Sequence, residues 1–154
     1  MTETAWIFAA QGHDDRSSSR SERDAAPLRK KSILVADSDQ LHLAYVAVML
    51  MSEGYSVSVA SSGDEAFARI RAGGIDLVVT SVTLPGMDSI ELLRKLQDAA
   101  LTVPVVVVAP GMTEIDGVYL RGAMLFGAAR TFSQPLTPPV FLESIRELLK
   151  SASS

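Results

Sequence analysis

Five short apolar runs rich in β-branched residues alternate with five longer helical segments, and this alternation limits the folds open to the chain. The runs cover residues 33–36, 57–60, 75–80, 103–109 and, more weakly, 130–133; the helical segments cover 40–52, 63–72, 89–99, 113–126 and 138–151. Strands separated by helices of ten or more residues imply βαβ units and a parallel sheet. The third and fourth runs are apolar at nearly every position, as expected for strands with helices on both faces. Right-handed crossovers then predict a doubly wound α/β domain with a five-stranded sheet in the order 2-1-3-4-5.

Local signals agree. Gly54 after Glu53 ends the first helix and Gly73-Gly74 the second. Thr137 followed by Pro138 reads as an N-cap with proline in the first turn. The last helix places Val140, Phe141, Ile145, Leu148 and Leu149 on one predicted inward stripe.

Residues 1–30 have a different character. From Gln11 to Ala26 the chain is dense in Ser, Asp, Arg and Glu, which reads as a disordered tail. Trp6-Ile7-Phe8 interrupts it with a small apolar cluster. That cluster is either a frayed end or patch resting on the domain, or a short partner-binding motif. The domain itself is expected over 31–151, with 152–154 as a C-terminal tail.

Charge and composition exclude several classes. Residues 1–31 carry six Lys/Arg against five Asp/Glu, and the remainder carries eight against thirteen. An acidic body without a basic stripe gives no footprint for nucleic acid. Apolar runs fall far short of the roughly 20 residues of a membrane span. There is no cysteine, hence no disulfide framework or thiolate metal site. A cytoplasmic location is expected.

In a doubly wound sheet the ligand crevice lies beyond the carboxyl ends of strands 1 and 3. Asp37, Ser38 and Asp39 arrive there after strand 1, Ser81 and Thr83 after strand 3, Ala109 after strand 4 and Gln134 after strand 5. Asp39 opens the first helix and reads as its N-cap. His42 lies within that helix and reads as a satisfied, partly buried histidine. No serine-elbow motif accompanies it, so a hydrolytic pair of His42 with Ser38 or Ser81 is not expected. No glycine-rich phosphate loop follows any strand.

From Ile33 to Lys150 the chain resembles a response-regulator receiver domain, of flavodoxin-like (βα)5 fold. The resemblance rests on Ile33-Leu34-Val35-Ala36-Asp37, Glu53-Gly54-Tyr55, residues 60–66, Asp76-Leu77-Val78-Val79, Leu84-Pro85-Gly86-Met87-Asp88, Pro104-Val105-Val106-Val107-Val108, Gly127-Ala128 and Gln134-Pro135. It implies a pocket in which two acidic residues after strand 1 hold Mg²⁺ and an aspartate after strand 3 accepts a phosphoryl group. Here Asp37 stands at the first acidic position, Ser38 at the second and Ser81 at the acceptor. Ala109 stands at the hydroxyl switch position, Thr131 at the aromatic switch position and Gln134 at the lysine position. By the same pattern Gln134-Pro135 is a candidate cis peptide.

The substitutions have a shared physical consequence. Magnesium takes oxygen ligands and one or two carboxylates beside a phosphate. Asp37 is left as a lone carboxylate without a cationic neighbour, at best a weak metal ligand, so no Mg²⁺ or other cofactor is expected. Serine is a weak nucleophile without a general base. Ser38, Ser81 and Gln134 are expected to hydrogen-bond one another in a neutral pocket.

Two helices carry more apolar residues than one buried face uses. On the first, Tyr45, Val46, Met49 and Leu50 fit an inward stripe, while Leu43, Ala47, Val48 and Met51 fall where receivers usually carry charge. On the fourth, Leu120, Leu125 and Phe126 belong to a nearly encircling set. Leu43, Val48, Met51, Leu120, Leu125 and Phe126 are the candidate homodimer or partner surface; the alternative is a shifted core stripe or contact with the N-terminal tail. The expectation is a non-enzymatic, stand-alone pseudo-receiver of a two-component or phosphorelay network. With no output domain after Lys150, it would act on a histidine kinase, another response regulator or an output protein. The alternatives are a residual phosphosignalling receiver with weak metal binding, or a small ligand-binding or enzymatic flavodoxin-like domain.

Overall fold

The computed structural model describes residues 29–111 and 113–153. The expected tail and the Trp6 cluster lie outside them. Within them the order is β1 (Ser32–Ala36), α1 (Gln40–Met51), β2 (Ser56–Ala60), α2 (Gly63–Ala72), β3 (Leu77–Ser81), α3 (Ser89–Asp98), β4 (Val105–Ala109), α4 (Glu114–Leu125), β5 (Arg130–Ser133) and α5 (Pro138–Ser153). The strands form one parallel sheet, β2-β1-β3-β4-β5. The third and fourth strands start later than their apolar runs, and α5 continues through the expected C-terminal tail to Ser153.

Strand alternation divides the core in two. Ile33, Val35, Leu77, Val79, Val106 and Val108 face α1 and α5, where Val46, Leu50, Phe141 and Ile145 complete the packing. Leu34, Ala36, Val78, Val105 and Val107 face the opposite way, against Ile70, Leu92, Leu96 and Ala123 of α2, α3 and α4. Helix starts follow their caps. Asp39 accepts from the N–H groups of Leu41 and His42, Ser62 from Glu65, Asp88 from Glu91, and Thr113 and Asp116 form a reciprocal capping box. Asp76, just before β3, accepts a 2.7 Å bond from the Ser32 N–H and so fixes the start of β1 against β3.

Three helix faces differ from expectation. The buried stripe of α1 is Leu43, Val46, Ala47 and Leu50, so Leu43 is core and not interaction surface. Tyr45 is exposed instead of inward, while Met49 and Met51 are half-buried against the core. A helix apolar all round carries no phase in its sequence, and the Asp39 cap sets its rotation. On α4, Leu120 packs partly on the core, whereas Leu125 is 87% exposed and Phe126 is also exposed. On α5, Val140 faces outward and only the rest of the expected stripe packs inward.

A hydrogen bond ties α4 to α3. The Tyr119 hydroxyl donates to Asp88 Oδ2 at 3.1 Å. The bond to the Asp88 carboxylate and that carboxylate's charge, with a lesser desolvation, raise the Tyr119 pKa above its ordinary 10.0. The folded state therefore holds this proton more tightly than the unfolded chain does. The tie is fully present at neutral pH and is lost as pH rises through the raised value. Tyr119→Phe is expected to cost about 1 kcal/mol at pH 7 in urea unfolding. The difference from the parent should shrink above pH 10; one that persists undiminished there would argue against the bond.

Candidate functional site

Sheet register assembles the crevice. Ala36 pairs with Thr80, so the next residues, Asp37 and Ser81, lie side by side at the carboxyl edge. Ser81 pairs with Val108 and Ala109 with Ser133, which brings Ala109 and Gln134 to the same rim. The Gln134 N–H donates to the Ala109 carbonyl at 2.9 Å, and the Gln134-Pro135 peptide is cis. Gly111, at φ +78°, packs so closely on Gln134 that an added Cβ would collide with its carbonyl oxygen. The β4–α4 and β5–α5 loops are thereby closed on each other.

Asp37 is not alone. It is 7% exposed, and both carboxylate oxygens are engaged. Oδ1 accepts the Asp39 N–H at 3.0 Å; Oδ2 lies 2.8 Å from His42 Nδ1, whose N–H donates to it. The contact spans β1, its loop and the first turn of α1, and it gives the expected lone carboxylate a side-chain partner that the sequence reading did not include. Among the described residues His42 is hydrogen-bonded at one ring nitrogen: Nε2 is buried with no partner there. Among the described residues the Asp–His pair thus has an orienting acid but no hydroxyl hydrogen-bonded at the other ring nitrogen.

The expected network of Ser38, Ser81 and Gln134 does not form. Ser38 is exposed, and Ser81 Oγ donates to the carbonyl of Thr83 at 3.2 Å, within its own loop. Ala109 is fully buried. Thr131 is half-buried, while the aromatic ring of β5 belongs to Phe132. Alternation sends Phe132 to the α5 side, edge-on to Phe141 at 5.3 Å between centroids. Among the described residues, no three or more His, Cys, Asp or Glu side chains are grouped to hold a metal ion, and no helix is long and apolar enough to cross a membrane.

The family model for the response regulator receiver domain matches residues 33–146, well over half of the chain. The chain belongs to the response-regulator receiver family. This receiver is 31% identical over 141 residues to the chemotaxis protein CheY of Treponema pallidum, a match covering 89% of this chain and 93% of that protein. It is 28% identical to the alkaline phosphatase synthesis transcriptional regulatory protein PhoP of Bacillus subtilis, covering 78% of this chain but 49% of the regulator. The chain therefore spans about half the length of that regulator, and 26% of the transcriptional regulatory protein ZraR of Salmonella typhimurium. A CheY-like receiver domain protein of Methanospirillum hungatei superposes with a TM-score of 0.71 at 27% identity, over 81% of this receiver and 98% of that chain.

The Asp37–His42 pair is the feature that sequence reasoning missed. Its signal was present as a histidine in the first turn after a surviving acidic residue, five positions on, close enough for the ring to reach back over the cap.

Proposed function

We propose that this receiver signals through protein contact without passing through a phosphorylated state. One observation carries the reading: the carboxylate left in the pocket is held from both sides by the Asp39 N–H and His42 Nδ1, while a serine ends β3. Ser81 would need a base to become a nucleophile, and Asp37 is turned to His42. Gln134 brings no positive charge to a phosphoryl oxygen.

The donor set does not suit magnesium either. The ion takes near-octahedral oxygen coordination with one or two free carboxylates. Among the described residues Asp37 is the carboxylate buried at this edge, and binding through Oδ2 would strand His42 Nδ1 beside an Nε2 that has no partner among them. The proposed function involves no metal-dependent step and no enzymatic turnover.

A histidine kinase, another response regulator or an output protein would then be reached through surface. Helix α4 offers Ile115, Val118 and Leu125 outward, with its C-cap Phe126, a concentration of exposed apolar side chains of the kind that marks interaction sites. The test is an amide-resolved NMR titration with Mg²⁺ followed by beryllofluoride. The signals of Asp37, Ser38, Ser81 and Gln134 are expected to stay in place; saturable shifts centred on them would favour a residual phosphosignalling receiver. Saturable shifts at the rim caused by a small molecule from the native cell would favour a ligand-binding domain.

A further inference from the structure

We infer that the C-terminal ends of α2 and α3 form a docking surface for an acidic segment of a partner protein that carries apolar anchors. Two helices deliver unspent positive charge there. Arg69 and Arg71 lie in the last turn of α2 and Lys95 in the last turn of α3, with Arg94 next to it in the chain. All four are exposed, and among the described residues none of them enters an ion pair. Basic residues favour a helix C-terminus through its dipole, yet the last turns of α1 and α4 carry none. The charge is gathered on two neighbouring helices instead of being shared among all of them. Against it stands Asp98, while Asp76, just before β3, is bonded to the Ser32 N–H. In a chain of net charge −4 this is a local inversion of sign.

Apolar clefts lie between the cations. One of about 470 Å³ between α2 and α3 is lined by Phe67 and Ala99, with Arg71, Lys95 and Asp98 on its walls. Lys95 Nζ stands 5.0 Å from the centre of the Phe67 ring. A second, of about 370 Å³, is lined by Leu96, Leu101 and Val103 and reaches the end of α4. A third, of about 320 Å³, shares Leu101 and Val103 and extends to Ile70 of α2. The three meet around the end of α3. There Ala100 holds φ +59°, a left-handed conformation in which glycine is the unstrained choice, and it lines the second cleft.

The charge selects the occupant. Apolar clefts rimmed by unpaired cations fit a segment whose leucine or aromatic side chains enter the clefts while its carboxylates meet Arg71 and Lys95. A nucleic acid draws its affinity from many phosphate contacts, and four cations on an otherwise acidic body supply few.

This surface goes beyond the contact-based reading, and its test involves no phosphoryl group, so either can fail without the other. The probe is a short fluorescein-labelled peptide in which leucine and tryptophan are interspersed with glutamate, titrated with the full chain and followed by fluorescence anisotropy. Saturable binding is expected with Kd on the order of tens of micromolar. It should weaken at least about fivefold between about 50 and about 500 mM NaCl. Arg71→Glu combined with Lys95→Glu should weaken it at least about tenfold with an unchanged circular dichroism spectrum, whereas Arg121→Glu on α4 should change it less than about twofold. Replacing the leucine and tryptophan of the peptide by serine, which leaves the receiver untouched, should also cost at least about tenfold. Amide signals of Phe67, Ala99, Ala100, Leu101 and Val103 should shift on titration. No saturable binding, an equal loss with Arg121→Glu, tighter binding of a single-stranded RNA of the same length, or shifts centred on Ile115 and Val118 would each overturn the proposal.

Discussion

Replacing Asp37 by alanine is expected to destabilise the domain by about 3 kcal/mol in urea unfolding at pH 7. The substitution removes two short hydrogen bonds to a buried carboxylate, from the Asp39 N–H and from His42 Nδ1. It also takes away the hydrogen bond of His42 Nδ1, beside an Nε2 that has no partner among the described residues. Asp37→Asn keeps the shape and an acceptor for Asp39, and neutral histidine can accept from the amide at Nδ1, so it should cost clearly less than alanine. His42→Ala should lose a similar amount, and the double variant should show coupling of at least about 1 kcal/mol. In a pocket of several uncompensated carboxylates the sign would reverse, because deleting one relieves repulsion. An alanine variant as stable as the parent would mean that Asp37 is held for some purpose other than structure.

The second large effect is expected on the far side of the sheet. Phe141→Ala should cost about 4 kcal/mol, a sizeable share of the roughly 5–15 kcal/mol that holds a domain together. Phe141 is fully buried and meets Phe132 edge-on, so its loss opens a cavity between α5, β5 and the centre of the sheet. Phe141→Leu keeps most of the volume and should lose less than half as much. Because β5 carries Gln134 at its end, the alanine variant should also loosen the rim, seen as faster amide exchange at Ser133 and Gln134. A loss below about 1 kcal/mol would show that α5 does not anchor β5 as described.

Position 131 holds a threonine, and the aromatic of β5 is Phe132, which alternation sends to the α5 core. This much could be read from the sequence: strand order, helix sequence, the Asp39 cap and the positions that meet at the crevice all follow from alternating runs and short motifs. Two things could not. Helix α1 reads Gln-Leu-His-Leu-Ala-Tyr-Val-Ala-Val-Met-Leu-Met, apolar wherever it is turned, so its buried face was decided by the loop geometry before it. The partnership of Asp37 and His42 depended on that same rotation. A helix turned to bury Tyr45 and Met49 would have pointed the imidazole elsewhere and left the carboxylate alone.

The corrected rotation strengthens the functional reading and changes its cause. A pocket holding one uncompensated carboxylate would still attract a cation weakly. A carboxylate already bonded to an imidazole and a backbone N–H has little left to offer a cation, which supports the proposed contact-based reading. Under the proposed function, the exposed apolar side chains of α4 are the candidate contact surface.

The most direct test is intact-mass spectrometry of the chain after incubation with acetyl phosphate and Mg²⁺, and with histidine kinases from the native cell. The mass is expected to remain that of the unmodified chain under conditions that label a receiver bearing an acceptor aspartate. Gain of one phosphoryl group, labile to hydroxylamine or lost on substitution of Asp37 or Ser81, would contradict a contact-only receiver.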